Sequence, residues 1–562
     1  MHNGLQEVSV SSARRRSGWL ALLAILLVAA LLRLPGLSAA PPGLHQDEAA
    51  NAWNAWCLLK TGRDQAGVAW PIFYTRAMGE NRSALFLYLL LPFQALGGLN
   101  VWTTRLPAAV SGILTVILLY AVVRRLFGRP TGFVAAALLA LNPTHIQMSR
   151  WGHEASIVPL LVLLPLAAWL WAGFPLSNDK ELKPRPWRAL LAGLLTGACC
   201  YGYPAVRMFV PVFLGISVIV TWRGWWQIIH TRRGMAAVAS LALGVGLTFG
   251  PLAYKHVTEP EIIAKRGQAT WIWSADDPLP ANLGRVFERY TAHFHAEFLF
   301  DTGDADEIAW TAGYGFLPWY YLPLLATGLV LLVMQTWHSR AARVILVGAL
   351  LFPVGDSLNW HISLHAFRSS AGLIPLIILA AAGLARALTY VCEHRLRGWL
   401  LALIASLGGL VVPETGSFLW DYFHERPRQH TVYRGTAGDL LAACDWLRPR
   451  MAETDAVICT TLDMNQPYFI VLVAMEHDPR VWFSQPRVMH HDGAWDVYSR
   501  VGKFHFLPEH ECVAKLEQLR EAGQPLRVVL ILRMTQFADM QPTHRIRNPD
   551  GRAALLIYEL EL

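Results

Sequence analysis

A series of apolar runs, each near the length of a membrane-crossing helix, constrains this chain more than any other feature. Crossing the hydrocarbon core takes about 20 apolar residues in helical form. Eleven segments approach that length: 18–37, 106–123, 131–146, 155–174, 188–203, 205–222, 235–254, 313–336, 343–360, 370–391 and 398–416. Charged residues are only 16% of the 562, against roughly a quarter in soluble globular chains. A cytosolic soluble enzyme and a disordered chain are thereby excluded. The net charge of +8 is explained by membrane orientation, so no nucleic-acid partner is expected. None of the seven cysteines shows metal-type CxxC spacing, and they do not fix the compartment.

Orientation follows from where the charges fall. The apolar stretch 84–99 is short, holds Pro92 and ends at Gly97-Gly98. Placed along the outer interface rather than across the bilayer, it lets every basic cluster face the cytoplasm. Those clusters are Arg14–Arg16, Arg124/Arg125/Arg129, Lys180/Lys183/Arg185/Arg188, Arg223/Arg232/Arg233, Arg340/Arg343 and Arg395/Arg397. The carboxylates Asp47, Glu48, Glu80, Glu154, Asp301 and Asp304 then face outward. The expectation is a multi-spanning α-helical membrane protein of about eleven transmembrane helices, with a cytoplasmic N-terminus. The first run has no clear cleavage site and is expected to be a retained span.

Composition changes near residue 417. Residues 417–562 carry 16 Lys+Arg and 19 Asp+Glu, leaving the first 416 with 32 against 21. The expected division is a transmembrane catalytic domain, 1–416, with external loops 38–105 and 255–312, and an extracytoplasmic soluble α/β domain, 417–562. In the latter, 456–461, 480–484 and 526–533 read as strands and 510–523 as a helix.

Chemistry is expected in the external loops. The first opens with PPGLHQDEAANAWNAW, in which Asp47 and Glu48 follow the first span closely and start a helix. Carboxylates suit a helix N-terminus, so both can be caps; alternatively Asp47 is a general base or a metal ligand. Trp53, Trp56 and Trp70 fit an interfacial belt. In YTRAMGENRSALFLY, Arg76 or Arg82 can anchor to bulk lipid phosphate or grip the phosphate of a lipid-linked substrate. The short loop NPTHIQMSRWGHEAS packs His145, Arg150, His153 and Glu154 between two apolar spans, where such groups must be paired or used. An Arg150–Glu154 ion pair accounts for them, and a His153/Glu154 metal site is the alternative. CYGYPAVR sets Tyr203 and Arg207 at an external hairpin. Residues 282–300 show near-helical spacing for an interfacial helix, His293 and His295 diverge, and Asp301 and Asp304 suit a solvated turn. Asp356, His361, His365 and Arg368 gather at a later span junction, where Arg368 suits a phosphate.

The Asp47-Glu48 pair opening the first external loop, the run RLPAAVSGILTVILLYAVVRRLFG (105–128), LNPTHIQMSRWGHE, YGYPAVR and HAFRSSAGLIPLIILAAAGLARAL together resemble the GT-C glycosyltransferases. The likeness is to the bacterial family 39 members related to protein O-mannosyltransferases and lipid A aminoarabinose transferases, and it covers about residues 20–400. It implies transfer of a sugar from a polyprenyl-phosphate-linked donor to a protein, lipid or glycan acceptor, at the outer face of the bacterial inner membrane. By resemblance Asp47 is the base or metal-positioning carboxylate, making a divalent metal ion a candidate cofactor, and Glu48 is its catalytic neighbour. Arg82, Arg150, Arg207 and Arg368 are the implied donor-phosphate ligands. His45, Asn81, His153, Glu154 and Tyr203 are the implied substrate contacts. Relatives often carry a Pro-Pro or Lys-Pro-Pro stretch before the interfacial helix, where this chain has Glu80-Asn81-Arg82-Ser83. A transporter of a lipid-linked or small polar substrate is the competing class; it would place ionisable groups near mid-membrane, whereas here they collect at the external ends.

Overall fold

The structure, a computed structural model, describes residues 2–179, 182–260, 271–359, 363–492, 495–523, 525–534, 537 and 540–562. Every one of the eleven apolar runs contains helix, but the lengths are uneven. Among the described residues four helices are long and apolar enough to cross a membrane by length and composition: Val101–Phe127, Glu154–Ala172, Arg232–Thr258 and Ala366–Glu393. A fifth span results if Pro204–Val220 and Trp222–Ile229, bent by 79°, count as one. Shorter apolar helices run over Ser17–Arg33, Leu85–Gly97, Arg129–Leu141 and Tyr321–Gln335.

Two of the expected spans end early for visible reasons. The run 131–146 breaks after Leu141, because the Asn142 side chain accepts the His145 N–H and starts a separate short helix. The run 343–360 stops at Leu350; a second turn, Val354–Ser357, brings Asp356 into a buried charge cluster instead. The 84–99 stretch forms a helix of 13 residues, Leu85–Gly97, too short to span at 1.5 Å per residue. Residues Leu279–Ala292 are helical, in the segment expected to lie at the interface.

Between the helix ending at Arg33 and Leu85 the chain builds the outer layer. Helix Gln46–Thr61 starts at His45, whose Nδ1 accepts the Asp47 N–H, while Glu48 Oε2 accepts the His45 N–H. It ends at Gly62 in the left-handed region. A hairpin of β1 (Tyr74–Ala77) and β2 (Glu80–Ser83) follows, with Thr75 opposite Arg82.

The C-terminal residues form a seven-stranded mixed sheet: β3 (Ala456–Thr460), β4 (Arg487–Asp492), β5 (Trp495–Val501), β6 (Phe504–Leu507), β7 (Arg527–Leu532), β8 (His544–Arg547) and β9 (Ala553–Glu561). Their order is β4-β5-β6-β3-β7-β9-β8, with β3 parallel to both neighbours. The expected strands at 456–461 and 526–533 and the helix at 510–523 are present. The expected strand at 480–484 is instead a helical turn, Pro479–Trp482, capped by Asp478.

That turn matters because it docks the sheet layer onto the Asp47 helix. Trp482 is fully buried edge-on to Trp53, 5.6 Å between ring centroids, and its Nε1 donates to the Gln65 carbonyl at 2.9 Å. Trp53 is therefore core and not interfacial belt. Leu44 N–H donates to the Thr436 carbonyl, and Gly43 (φ +66°) passes so close that a Cβ would lie 2.1 Å from that oxygen. Trp482→Ala should cost about 3–5 kcal/mol of stability, the usual range for emptying a buried aromatic site. Thermal unfolding of the purified variant measures this; an unchanged midpoint would remove Trp482 from the docking contact.

Candidate active site

Asp47 sits at the opening of a network of buried charge. Arg82, brought in by β2, donates from one terminal nitrogen to Asp47 Oδ1 at 2.8 Å. Its Nε and other terminal nitrogen clasp Glu154 at 3.0–3.2 Å. Asn51, one turn along from Asp47, donates to Glu154 Oε2 at 2.9 Å. Asp47 Oδ2 faces His45 Nδ1 at 3.6 Å and His153 Nε2 at 3.8 Å. Arg82 and Glu154 are 4% and 3% exposed, while Asp47 is 31% exposed; Asp47 alone of the three can meet a substrate. Burial by itself would raise the Asp47 pKa, but Arg82, then His45 and His153, outweigh it and hold the carboxyl well below its usual range. Burial, partly offset by the carboxylates, lowers the His153 pKa.

Around this centre the other expected residues sort themselves. Tyr203 stands edge-on to His153, 6.1 Å between ring centroids, and Phe367 is 6.2 Å away on another side. Asn81 lies in β2 opposite Arg76, beside Arg82. Arg207 donates to Ser83 Oγ at 2.6 Å, to the Tyr74 hydroxyl at 3.2 Å and to the Cys200 carbonyl at 2.8 Å. It thus ties the YGYP hairpin to the β1–β2 hairpin.

Three expectations are corrected. Glu48 is fully buried: Arg105 clasps it at 2.7 and 2.8 Å, and the Gly152 N–H adds a third bond. It is a brace, with no face open to substrate. Arg150 is likewise buried and does not pair with Glu154. Its guanidinium caps the end of the first helix through the carbonyls of Arg33, Gly36 and Ala40, and lies 4.7 Å over the Phe423 ring. Arg82 spends its charge on two carboxylates, so it sets the protonation of Asp47 instead of offering a free grip for phosphate.

A second charged cluster adjoins the first through Phe367, whose ring is 6.1 Å from His365. Asp356 accepts from Arg289 at 2.8 Å and lies 3.4 Å from His293 and 3.8 Å from Arg368. Because it is paired, Asp356 gives a transporter reading no isolated charge inside the bundle. Asp304 is not in a solvated turn: it accepts the Ala366 N–H at 2.8 Å, and burial raises its pKa to about 7. His361 lies outside the described residues. Among the described residues no three His, Cys, Asp or Glu side chains converge as a metal-binding group.

Arg105, Asn51 and Phe367 were not singled out from sequence. Arg105 had a signal, since an arginine opening a long apolar helix must find a partner. Asn51 and Phe367 carry none.

The helical bundle, outer hairpin layer and C-terminal sheet give the GT-C glycosyltransferase fold, a multi-pass membrane architecture. Residues 81–247 match the family described as dolichyl-phosphate-mannose-protein mannosyltransferase; the segment includes Arg82, His153, Glu154, Tyr203 and Arg207, but not Asp47. The fold is similar to that of ArnT from Cupriavidus metallidurans bound to undecaprenyl phosphate, with TM-score 0.50 and 15% identity over 96% of this chain and 98% of that one. The apo form of the same protein gives 0.52 and 14%, over 97% and 98%. In sequence, an 84-residue stretch is 29% identical to YycA of Bacillus subtilis (strain 168), whose name offers mannosyl transfer as an unproven activity. That stretch is 15% of this chain and 12% of YycA.

Proposed function

We propose that this chain transfers a sugar from a polyprenyl-phosphate-linked donor to an acceptor hydroxyl at the outer face of the bacterial inner membrane. The observation that carries the reading is Asp47: a part-exposed carboxylate, kept ionised by a buried arginine, at the mouth of an otherwise closed charge network. The acceptor oxygen attacks the anomeric carbon while Asp47 accepts its proton. The bond from that carbon to the phosphate oxygen breaks in the same step, and the polyprenyl phosphate leaves. One displacement inverts the anomeric centre. Negative charge developing on the leaving phosphate needs cations aimed at it. Arg368 suits this, because one of its terminal nitrogens is buried without a hydrogen-bond acceptor and its nearest carboxylate is 3.8 Å away. Arg207 holds the neighbouring hairpin wall. His45 and His153, 3.6 and 3.8 Å from Asp47, fit sugar hydroxyls.

Support comes from the family matched at 81–247 and from the fold shared with ArnT, which was captured with undecaprenyl phosphate. The test is a reconstituted assay with mannosyl, aminoarabinosyl and glucosyl polyprenyl phosphates plus an envelope extract as acceptor source. Release of free polyprenyl phosphate from one donor, dependent on the extract, is expected. No release from any donor by protein that is folded and monodisperse would overturn the reading.

A further inference from the structure

A groove of about 410 Å³ lies between helices Val101–Phe127 and Glu154–Ala172, far from the Asp47 centre. Arg105, against Glu48, and Arg125, at the groove, are twenty residues apart on one helix, about 30 Å along its axis. The groove therefore opens at the opposite end of the bundle. Its floor is apolar, formed by Leu118, Val122, Ala167 and Leu170.

Two arginines close one end. Arg188 sits between two mutually perpendicular indoles, its guanidinium 4.8 Å from the Trp171 ring and 5.3 Å from that of Trp187; one terminal nitrogen donates to the Trp171 carbonyl at 3.3 Å, and its Nε is buried with no hydrogen-bond acceptor among the described residues. Arg125 gives one terminal nitrogen to Asp179 at 2.6 Å, and its side chain is 56% exposed at the groove. Trp171 and Trp187 are 46% and 54% exposed. Exposed tryptophans of a membrane bundle sit at headgroup depth, so the arginines beside them stand at the level of lipid phosphates. An apolar trough ending in two guanidinium groups at that depth matches an acyl chain joined to a phosphodiester.

We propose that this groove binds an anionic phospholipid of the leaflet opposite the Asp47 centre, its phosphodiester held by Arg125 and Arg188 and an acyl chain laid along the floor. A soluble phosphate compound fits less well, because it would leave the floor bare. The inference is independent of the transfer reaction and stands or falls on lipid retention alone.

The test is native mass spectrometry of the full chain released from nanodiscs containing phosphatidylglycerol and phosphatidylethanolamine. The wild-type chain should retain phosphatidylglycerol preferentially. The Arg125→Gln/Arg188→Gln variant should bind it about tenfold more weakly or worse, while Arg185→Gln/Arg223→Gln, of equal charge loss, should not. Equal loss in both pairs would reduce the effect to general surface charge and overturn the site. So would a variant that loses only added undecaprenyl phosphate and keeps phosphatidylglycerol. Should the double variant not fold, Arg188→Lys keeps the charge but not the forked guanidinium held between the two indoles. It should still weaken retention severalfold, and unchanged retention there would equally overturn the site.

Discussion

Asp47→Asn should lower sugar transfer by about 10²–10⁴-fold, the range for removing a positioned general base, while leaving the fold nearly untouched. The local geometry explains the second half of that expectation. Arg82 is anchored mainly by Glu154, through its Nε and one terminal nitrogen, so it is not orphaned by the change. The asparagine carbonyl can still accept the remaining Arg82 bond at the position of Oδ1. What is lost is the anion that takes the proton. The pH dependence follows from the same contacts. Because the folded-state pKa of Asp47 is depressed, its ionised form persists below the ordinary carboxylate value of about 3.9. Its contribution to stability is present above that value and is lost only as pH falls through the lower folded one. The rate–pH profile should therefore show no acid limb from Asp47 between about pH 5 and 7. Initial rates with the donor that supports wild-type turnover measure both effects. Transfer retained by Asp47→Asn would remove Asp47 from the chemistry.

What was legible in the sequence was set by how local each signal is. Apolar runs and basic clusters are local, and helix occurs in all eleven runs. Even there the lengths were misjudged where a polar residue acts on its own backbone, as Asn142 does in capping a new turn inside an apolar stretch. The strand expected at 480–484 failed for a related reason. Arg-Val-Trp-Phe has strand-like composition, but Pro479 opens a turn capped by Asp478, and the buried Trp482 is fixed by a partner, Trp53, more than 400 residues earlier. The site was legible as a population of charged residues at the outer ends of the helices, not as pairs. Nothing in the spacing of Arg150 and Glu154, four apart on what reads as a helix, reveals that β2 delivers Arg82 to Glu154 while Arg150 turns back to the carbonyls around Gly36. Pairing across 72 residues is a property of the folded hairpin, and single-sequence periodicity does not encode it.

The neighbouring carboxylate should behave in the opposite way. Glu48 and Arg105 are both fully buried and meet through two bonds, at 2.7 and 2.8 Å. The one remaining Arg105 nitrogen donates to the carbonyls of Leu37 and Pro41, and the terminal nitrogen that bonds Glu48 Oε2 donates to that of Gly43 as well. One ion pair thus pins the start of helix Val101–Phe127 to the loop that leads into the Asp47 helix. Removing one partner leaves an uncompensated guanidinium out of water, which costs about 3–5 kcal/mol. Glu48→Ala should reach that range, and it also strips the Gly152 and His45 N–H groups of their acceptor. Glu48→Gln keeps an acceptor oxygen and should lose less stability, but it still forfeits the charge. The informative comparison crosses adjacent positions: Asp47→Asn should cut transfer by about 10²–10⁴-fold at a near-native melting temperature, and Glu48→Gln should lower the melting temperature while the folded fraction keeps turning over. Thermal unfolding and transfer rates on the same preparations separate the two roles. A Glu48→Gln protein as stable as wild type but inactive would move Glu48 from scaffold into the reaction. Burial argues against that outcome, because a carboxylate already satisfied by a guanidinium and two backbone N–H groups has no lone pair directed at the opening where Asp47 is exposed.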